Sequence, residues 1–314
     1  NGTDHSAAID SILVDIDQSM SLYLDNSTIN KVNGTDTIIE TDLYFHQVFN
    51  ASKDIYIATQ GAFDPAVLPL VKGWGFGKDK TPTIDSTKMD SLLALVDFQG
   101  VSLGLDHQLN LDHALKRYCD SAQVEIKYVL NKNKPHIQLD FNGIAQGFTV
   151  DVISDYLLNY GVNNYMIELG GEVIARGIKP NNQPWKIGID QPLENADERK
   201  LQAIVPLVNK AMATSGNYRQ FYVQNGIKYA HTINPKTGYP VTHSLLSATV
   251  ITNDCALADG YATAFMVMGI DRSKEFLRIN PQLGLDVLFI YANAEGEWET
   301  FASEGMKELI QQVD

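Results

Sequence analysis

Apolar residues recur at helical spacing from the start of the chain. In "AAIDSILVDIDQSMSLYL", Ile9, Ile12, Leu13, Ile16 and Met20 fall on one face, which predicts an amphipathic opening helix. The turn formers of "DNSTINKVN" are read as ending it. Residues 40–58, 86–96 and 106–118 carry mainly helical patterns, and "GAFDPAVLPLVKGWGFGKDKTP" has the Gly and Pro density of an ordered loop with a short helix inside it. From "VEIKYVLN" onward the period shortens toward that of strands. "HIQLDFNGIAQGFTVDVISDYLLNYG" reads as strand, Asn-Gly turn and helix, with Gly161 as the C-terminal cap. "NYMIELGGEVIARG" and "WKIGID" are further strands, and "YRQFYVQNGIKYAHTIN" predicts a hairpin about Asn225-Gly226. "LSATVIT" leads as a strand into an apolar helix beginning near Asp254, and "DVLFIYANAEGEWETF" is a hairpin before a short terminal helix. No fixed-period repeat or Pro/Ser-rich linker divides the chain. The pattern predicts a single α+β domain over residues 1–314, with a largely antiparallel sheet and packed helices.

Composition narrows the partners. The 314 residues include 24 basic and 38 acidic side chains, a formal charge of −14, which argues against nucleic acid or an anionic membrane surface. An anionic small molecule would need local donors or a metal. Two cysteines, Cys119 and Cys255, make neither a disulfide framework nor a thiolate metal site, and Cys255 near a helix start reads as a packed small residue. No apolar run reaches the ~18 residues of a membrane span. The abrupt opening "NGTDHS" is expected to follow a removed or trimmed segment.

Candidate chemistry lies in four places. "ADGYATAFMVMG" sets Asp259 and Thr263 four apart, stacking a carboxylate and a hydroxyl on one helix face. The plainer reading is that Thr263 bonds the Asp259 carbonyl and Asp259 caps a turn; the sharper one is a hard cation held by oxygens. "LDFNGIAQGF" offers Asp140, a Gly143 carbonyl and a helix start, matching neither common phosphate-loop pattern. Ala62, Phe63 and Asp64 combine small, aromatic and acidic groups suited to a planar heterocycle, or to loop packing alone. Thr214, Ser215, Gly216 and Arg219 offer donors near a turn, and His231 is a candidate general base or a structural histidine. No Ser/His/Asp order suggests acyl transfer.

Taken together, eight blocks in order over residues 16–269 resemble the ApbE family of flavin transferases, formerly labelled thiamine-biosynthesis lipoproteins. They are "MSLYLDNSTINKVN", "AFDPAVLPLVKGWGFG", "LDFNGIAQGFTVD", "IELGGEVIARG", "WKIGIDQP", "ATSGNYRQF", "HTINPKTGYP" and "ADGYATAFMVMG". The resemblance implies a single α+β, T-fold-related domain that uses Mg2+ and takes FAD as substrate. It implies transfer of FMN to a threonine of an acceptor flavoprotein with release of AMP, the alternatives being FAD hydrolysis to FMN and AMP, or flavin binding without catalysis. It implies Gly143 (main-chain oxygen), Asp259 and Thr263 as metal ligands, with Asp259 and His231 as catalytic residues. It sets FAD against Tyr23, Ala62, Phe63, Asp64, Asp140, Gln146 and Ile233. By the same analogy the protein is expected in the periplasm or cell envelope, tethered to the membrane by an N-terminal lipid. Three departures stand out: Gln146 replaces a charged residue, Asn234 replaces the Asp of an Ile-Asp-Pro motif, and the N-terminal Met-Gly-Thr strand has no counterpart.

Overall fold

A computed structural model describes residues 3–77, 82–84, 86–105, 128–193, 200–217, 221–224, 227–230 and 232–311. In chain order its elements are α1 (Ser6–Met20), α2 (Thr28–Asn33), β1 (Ile39–Thr41), α3 (Leu43–Ala58), α4 (Leu68–Gly73), α5 (Ser86–Leu93), β2 (Val101–Leu105) and β3 (Tyr128–Lys132). There follow α6 (Ala145–Asn159), β4 (Tyr165–Leu169), β5 (Glu172–Arg176), β6 (Trp185–Asp190), β7 (Leu201–Leu207), β8 (Lys210–Gly216), β9 (Phe221–Gln224) and β10 (Ile227–Ala230). The chain closes with β11 (Leu245–Thr252), α7 (Cys255–Ile279), β12 (Asp286–Ala292), β13 (Trp298–Ala302) and α8 (Glu304–Leu309). These elements fall into two units, one of Asn1–Leu13, Ala51–Asp64 and Phe141–Asp314, the other of Val14–Asn50 and Pro65–Asp140.

The first unit is built on a six-stranded sheet of order β13-β12-β11-β8-β5-β4, antiparallel at every pairing. Its central strands are covered on both faces, which is why "EVIA" reads as a continuous buried run rather than an alternation. The two-residue period still operates. Val173, Ala175 and Met212 join Ile189, Val205 and Leu207 of the β6–β7 ribbon and Met306 of α8 in one core. Ile174 and Ala211 point the other way, into a second core with Val150, Ile153 and Leu157 of α6 and Cys255 of α7. Ile9, Ile12 and Leu13 of α1 pack against that second core, as the opening periodicity predicts. The helix α6 ends as its glycine forecasts. Gly161 has φ +76, its N–H reaches the Leu158 carbonyl at 2.9 Å and Val162 N reaches the Leu157 carbonyl at 3.0 Å. That pair of bonds is a Schellman closure. The helix α7 breaks at Gly269 (φ +75, ψ 175), against which the His243 ring packs; His243 Nε2 lies 2.8 Å from the Met266 carbonyl oxygen.

The second unit carries a three-stranded antiparallel sheet of order β1-β3-β2 with buried Phe45, Phe49, Phe98 and Leu130. Two expectations fail here for local reasons. "DNSTINKVN" does not merely end a helix; it starts one, because the Ser27 hydroxyl accepts the Asn30 N–H at 3.3 Å and caps α2. "HIQLDF" forms no strand. The Asn33 side-chain amide takes both backbone groups of Leu139, accepting its N–H at 2.7 Å and donating to its carbonyl at 2.8 Å, and Asp140 N donates to the Pro65 carbonyl at 2.7 Å. A side chain thereby satisfies groups that a neighbouring strand would otherwise take. The short helix expected in the Gly/Pro-rich loop is α4, preceded by a 3₁₀ turn at Pro65–Val67. Residues 106–118 and the turn at 225–226 lie outside the described residues. No helix among the described residues is long and apolar enough to cross a membrane.

Candidate functional site

Within the first unit, the start of α6 meets the start of α7. Asp254 precedes α7, but its side chain makes no capping bond; the free N–H groups of Cys255 and Ala256 are instead taken by the two oxygens of Asp151, each at 2.8 Å. Burial raises the Asp151 carboxyl to about 6 despite those bonds. The two helix starts approach so closely that Gly147 lies against the Cys255 carbonyl, with space for no side chain. Cys255 itself is fully buried, its thiol pushed up by burial, and it packs as a small residue.

Asp259, one turn into α7, is 6% exposed and accepts the Gly147 N–H through Oδ2 at 3.1 Å. Burial raises it to about 7, opposed by that bond. Thr263 lies one turn further on and does not fold back onto the Asp259 carbonyl. Its hydroxyl lies 3.5 Å from the Gly143 carbonyl oxygen and 3.3 Å from the Ser215 hydroxyl of β8. Gly143 sits in the turn closed by the Ile144 N–H on the Phe141 carbonyl (3.0 Å), and a Cβ there would stand 3.1 Å from Thr263 and 3.3 Å from the Phe63 ring. Phe63 and Ala62 are buried, and the Phe63 N–H donates to the Thr59 hydroxyl at 3.2 Å in the turn that follows α3.

The structure therefore gathers Phe63, Gly143, Asp259 and Thr263 into one cluster. A carboxylate, a hydroxyl and a main-chain carbonyl are the hard oxygen donors that Mg2+ takes. The buried Asp259 carboxylate, raised by desolvation and holding a single N–H, fits such a cation better than it fits an apolar core. Gln146 lies on the first turn of α6, its amide nitrogen against Gly170 of the β4–β5 turn. Ile233 is buried and bridges to Pro240 in the turn that Asn234 organises. Asn234 Oδ1 accepts the Lys236 N–H at 2.9 Å, so the turn forms without the aspartate. Asp64 follows Phe63 and is half-buried. Tyr23, exposed, and Asp140 belong to the second unit. His231 and Arg219 lie outside the described residues. Among the described residues no group of three or more His, Cys, Asp or Glu side chains is disposed to hold a metal.

Sequence reasoning passed over Glu172. It opens β5 and is 6% exposed, and burial together with the Asp259 charge raises its carboxyl to about 8. The available signal was an acid placed directly after Gly170-Gly171, ahead of the apolar run "VIA".

The chain as a whole is similar to known proteins. A description of the ApbE family matches residues 3–289. An FAD:protein FMN transferase of Vibrio cholerae is 33% identical over 305 residues, covering 96% of this chain and 83% of that one. One of Haemophilus influenzae is 33% identical over 308 residues, covering 96% and 82%. Among solved structures, the flavin transferase ApbE from Vibrio cholerae superposes with a TM-score of 0.79 at 28% identity, over 98% of this chain and 91% of that one. The apo flavinyl transferase ApbE of Pseudomonas stutzeri gives 0.81 at 28% identity, over 98% and 89%.

Proposed function

The chain belongs to the ApbE family, and from that premise we propose that it is a Mg2+-dependent FAD:protein FMN transferase acting on a threonine of an acceptor protein. The observation that supports the reading is the approach of the Thr263 hydroxyl to the Gly143 carbonyl beside the buried Phe63 ring, with Asp259 one helical turn earlier on α7 and bound to the Gly147 N–H. Relatives named for the activity span nearly the whole chain.

In this reading the Asp259 carboxylate, the Thr263 hydroxyl and the Gly143 carbonyl would hold Mg2+, which when bound would offset charge on the FAD pyrophosphate. Phe63 and Ala62 present an apolar wall to FAD, and Gln146, Asp64 and Ile233 are its further contacts. The acceptor hydroxyl oxygen forms a bond to the FMN phosphorus while the bond from that phosphorus to the AMP oxygen breaks. His231 accepts the hydroxyl proton, and AMP leaves. The Gly147 N–H fixes one oxygen of Asp259, so the carboxylate is oriented before ligand arrives.

Incubation with FAD, Mg2+ and a panel of acceptor domains tests this. Covalent flavin, seen by in-gel fluorescence and as an FMN mass increment, is expected from the parent protein and absent from Asp259→Ala. His231→Ala should slow transfer far more than it weakens FAD binding. Free FMN and AMP formed without acceptor, and no adduct with it, would replace the transferase by a hydrolase at the same site.

A further inference from the structure

Glu172 has no role in the reaction described above, yet it is held as if for one. The Gly170-Gly171 turn (φ +66 and +111) swings the chain so that the first side chain of β5 points inward, where it is 6% exposed. Its Oε2 is closed off from water and takes no hydrogen bond among the described residues. That oxygen stands 3.5 Å from where a Gly170 Cβ would be, the same spot against which the Gln146 amide packs. The orphan oxygen is therefore at the hairpin tip facing the first turn of α6, whose next residue, Gly147, binds Asp259.

Among the described residues the charges that act on it are of one sign: Asp259 and Glu168 both disfavour its ionisation, and no lysine or arginine of those residues acts on Glu172 or on Asp259. Two buried carboxylates that lack a cationic partner cost several kcal/mol when ionised unless a cation joins them. An unpaired acid of this kind also has no packing rationale, since glutamine would fill the same volume without the charge. Mg2+ sites in proteins commonly use one or two carboxylates, and Asp259 is only one.

We propose that Glu172 is a second carboxylate of the divalent-cation site formed by Asp259, Thr263 and Gly143, an inference that rests on the metal reading given above. Its carboxylate offsets cation charge from the hairpin side while Asp259 does so from α7. The Gly170-Gly171 turn, which forces Glu172 inward, becomes part of the site's construction.

Calorimetric titration of the full chain with Mg2+, in the absence of flavin, tests this directly. Glu172→Gln should weaken Mg2+ binding at least tenfold, while the metal-free protein melts at the same or a higher temperature because a buried charge is gone. Glu172→Asp, which keeps the charge but shortens the reach, should fall between the two and serves if the glutamine variant does not fold. Unchanged Mg2+ affinity in these variants, with binding lost in Asp259→Asn, overturns the role of Glu172 alone. No Mg2+ binding by the parent protein overturns the metal reading as well.

Discussion

Replacing Gly147 with alanine puts one methyl group where α6 and α7 meet, and the geometry fixes the sign of the effect. The new Cβ would collide with the Cys255 carbonyl oxygen and stand 2.7 Å from its carbon and 2.9 Å from Ala256 N. Carbon atoms pack best at about 3.5–4.0 Å, so the two helix starts must part by roughly 1 Å. The opposing atoms are backbone, and no side-chain rotation relieves them. Overpacking of this kind costs about 1–3 kcal/mol. Parting the helices also stretches the 3.1 Å bond from Gly147 N to Asp259, worth about 1.5–3 kcal/mol when the acceptor is charged. Against this, alanine gains about 1 kcal/mol of helix propensity over glycine. The net expectation is a loss of about 2–4 kcal/mol. Denaturant unfolding followed by circular dichroism should show a lower midpoint with an unchanged slope. A variant as stable as the parent would refute the claim that this crossing is closed to a side chain.

Gly161→Ala is the complementary case. Nothing lies within 4 Å of its Cβ position, but φ is +76, so it should lose about 1 kcal/mol from backbone strain alone in the same unfolding assay. Ser27→Ala removes the α2 cap together with a 2.7 Å bond from its hydroxyl to the Ser21 carbonyl and should cost about 1 kcal/mol. Asp151 has a carboxyl raised by burial from 3.8 to about 6, so the folded protein binds more protons than the unfolded chain between those values. Its contribution is therefore present below about pH 4 and lost as pH rises through about 6, an amount on the order of 3 kcal/mol. Asp151→Asn should flatten that portion of the stability–pH curve, and an unaltered slope would show that the group does not titrate in this window.

How much of this was legible beforehand depends on where each constraint originates. The stripe of Ile9, Ile12 and Leu13 and the cap at Gly161 are local signals, and both elements formed as read. The four-residue spacing of Asp259 and Thr263 located one side of the cluster, because a helix fixes which residues share a face. Other features depend on distant partners. "HIQLDF" alternates like a strand, yet Asn33, more than a hundred residues earlier, takes the bonds that would have paired it. Asp151 reads as an ordinary polar position of a helix until its contact with Cys255 and Ala256 is seen. Glu172 is buried only because the hairpin turn directs it inward, and a strand-initial acid taken alone suggests solvent.

The interruption at Gly269 separates α7 mechanically into two rods. The proximal rod carries Asp259 and Thr263; the distal one, from residue 270 on, leads away to Asn280. The joint depends on glycine twice over: its φ of +75 disfavours any side chain, and a Cβ there would stand 2.9 Å from the His243 ring, so the change of direction between the rods is written into that one residue.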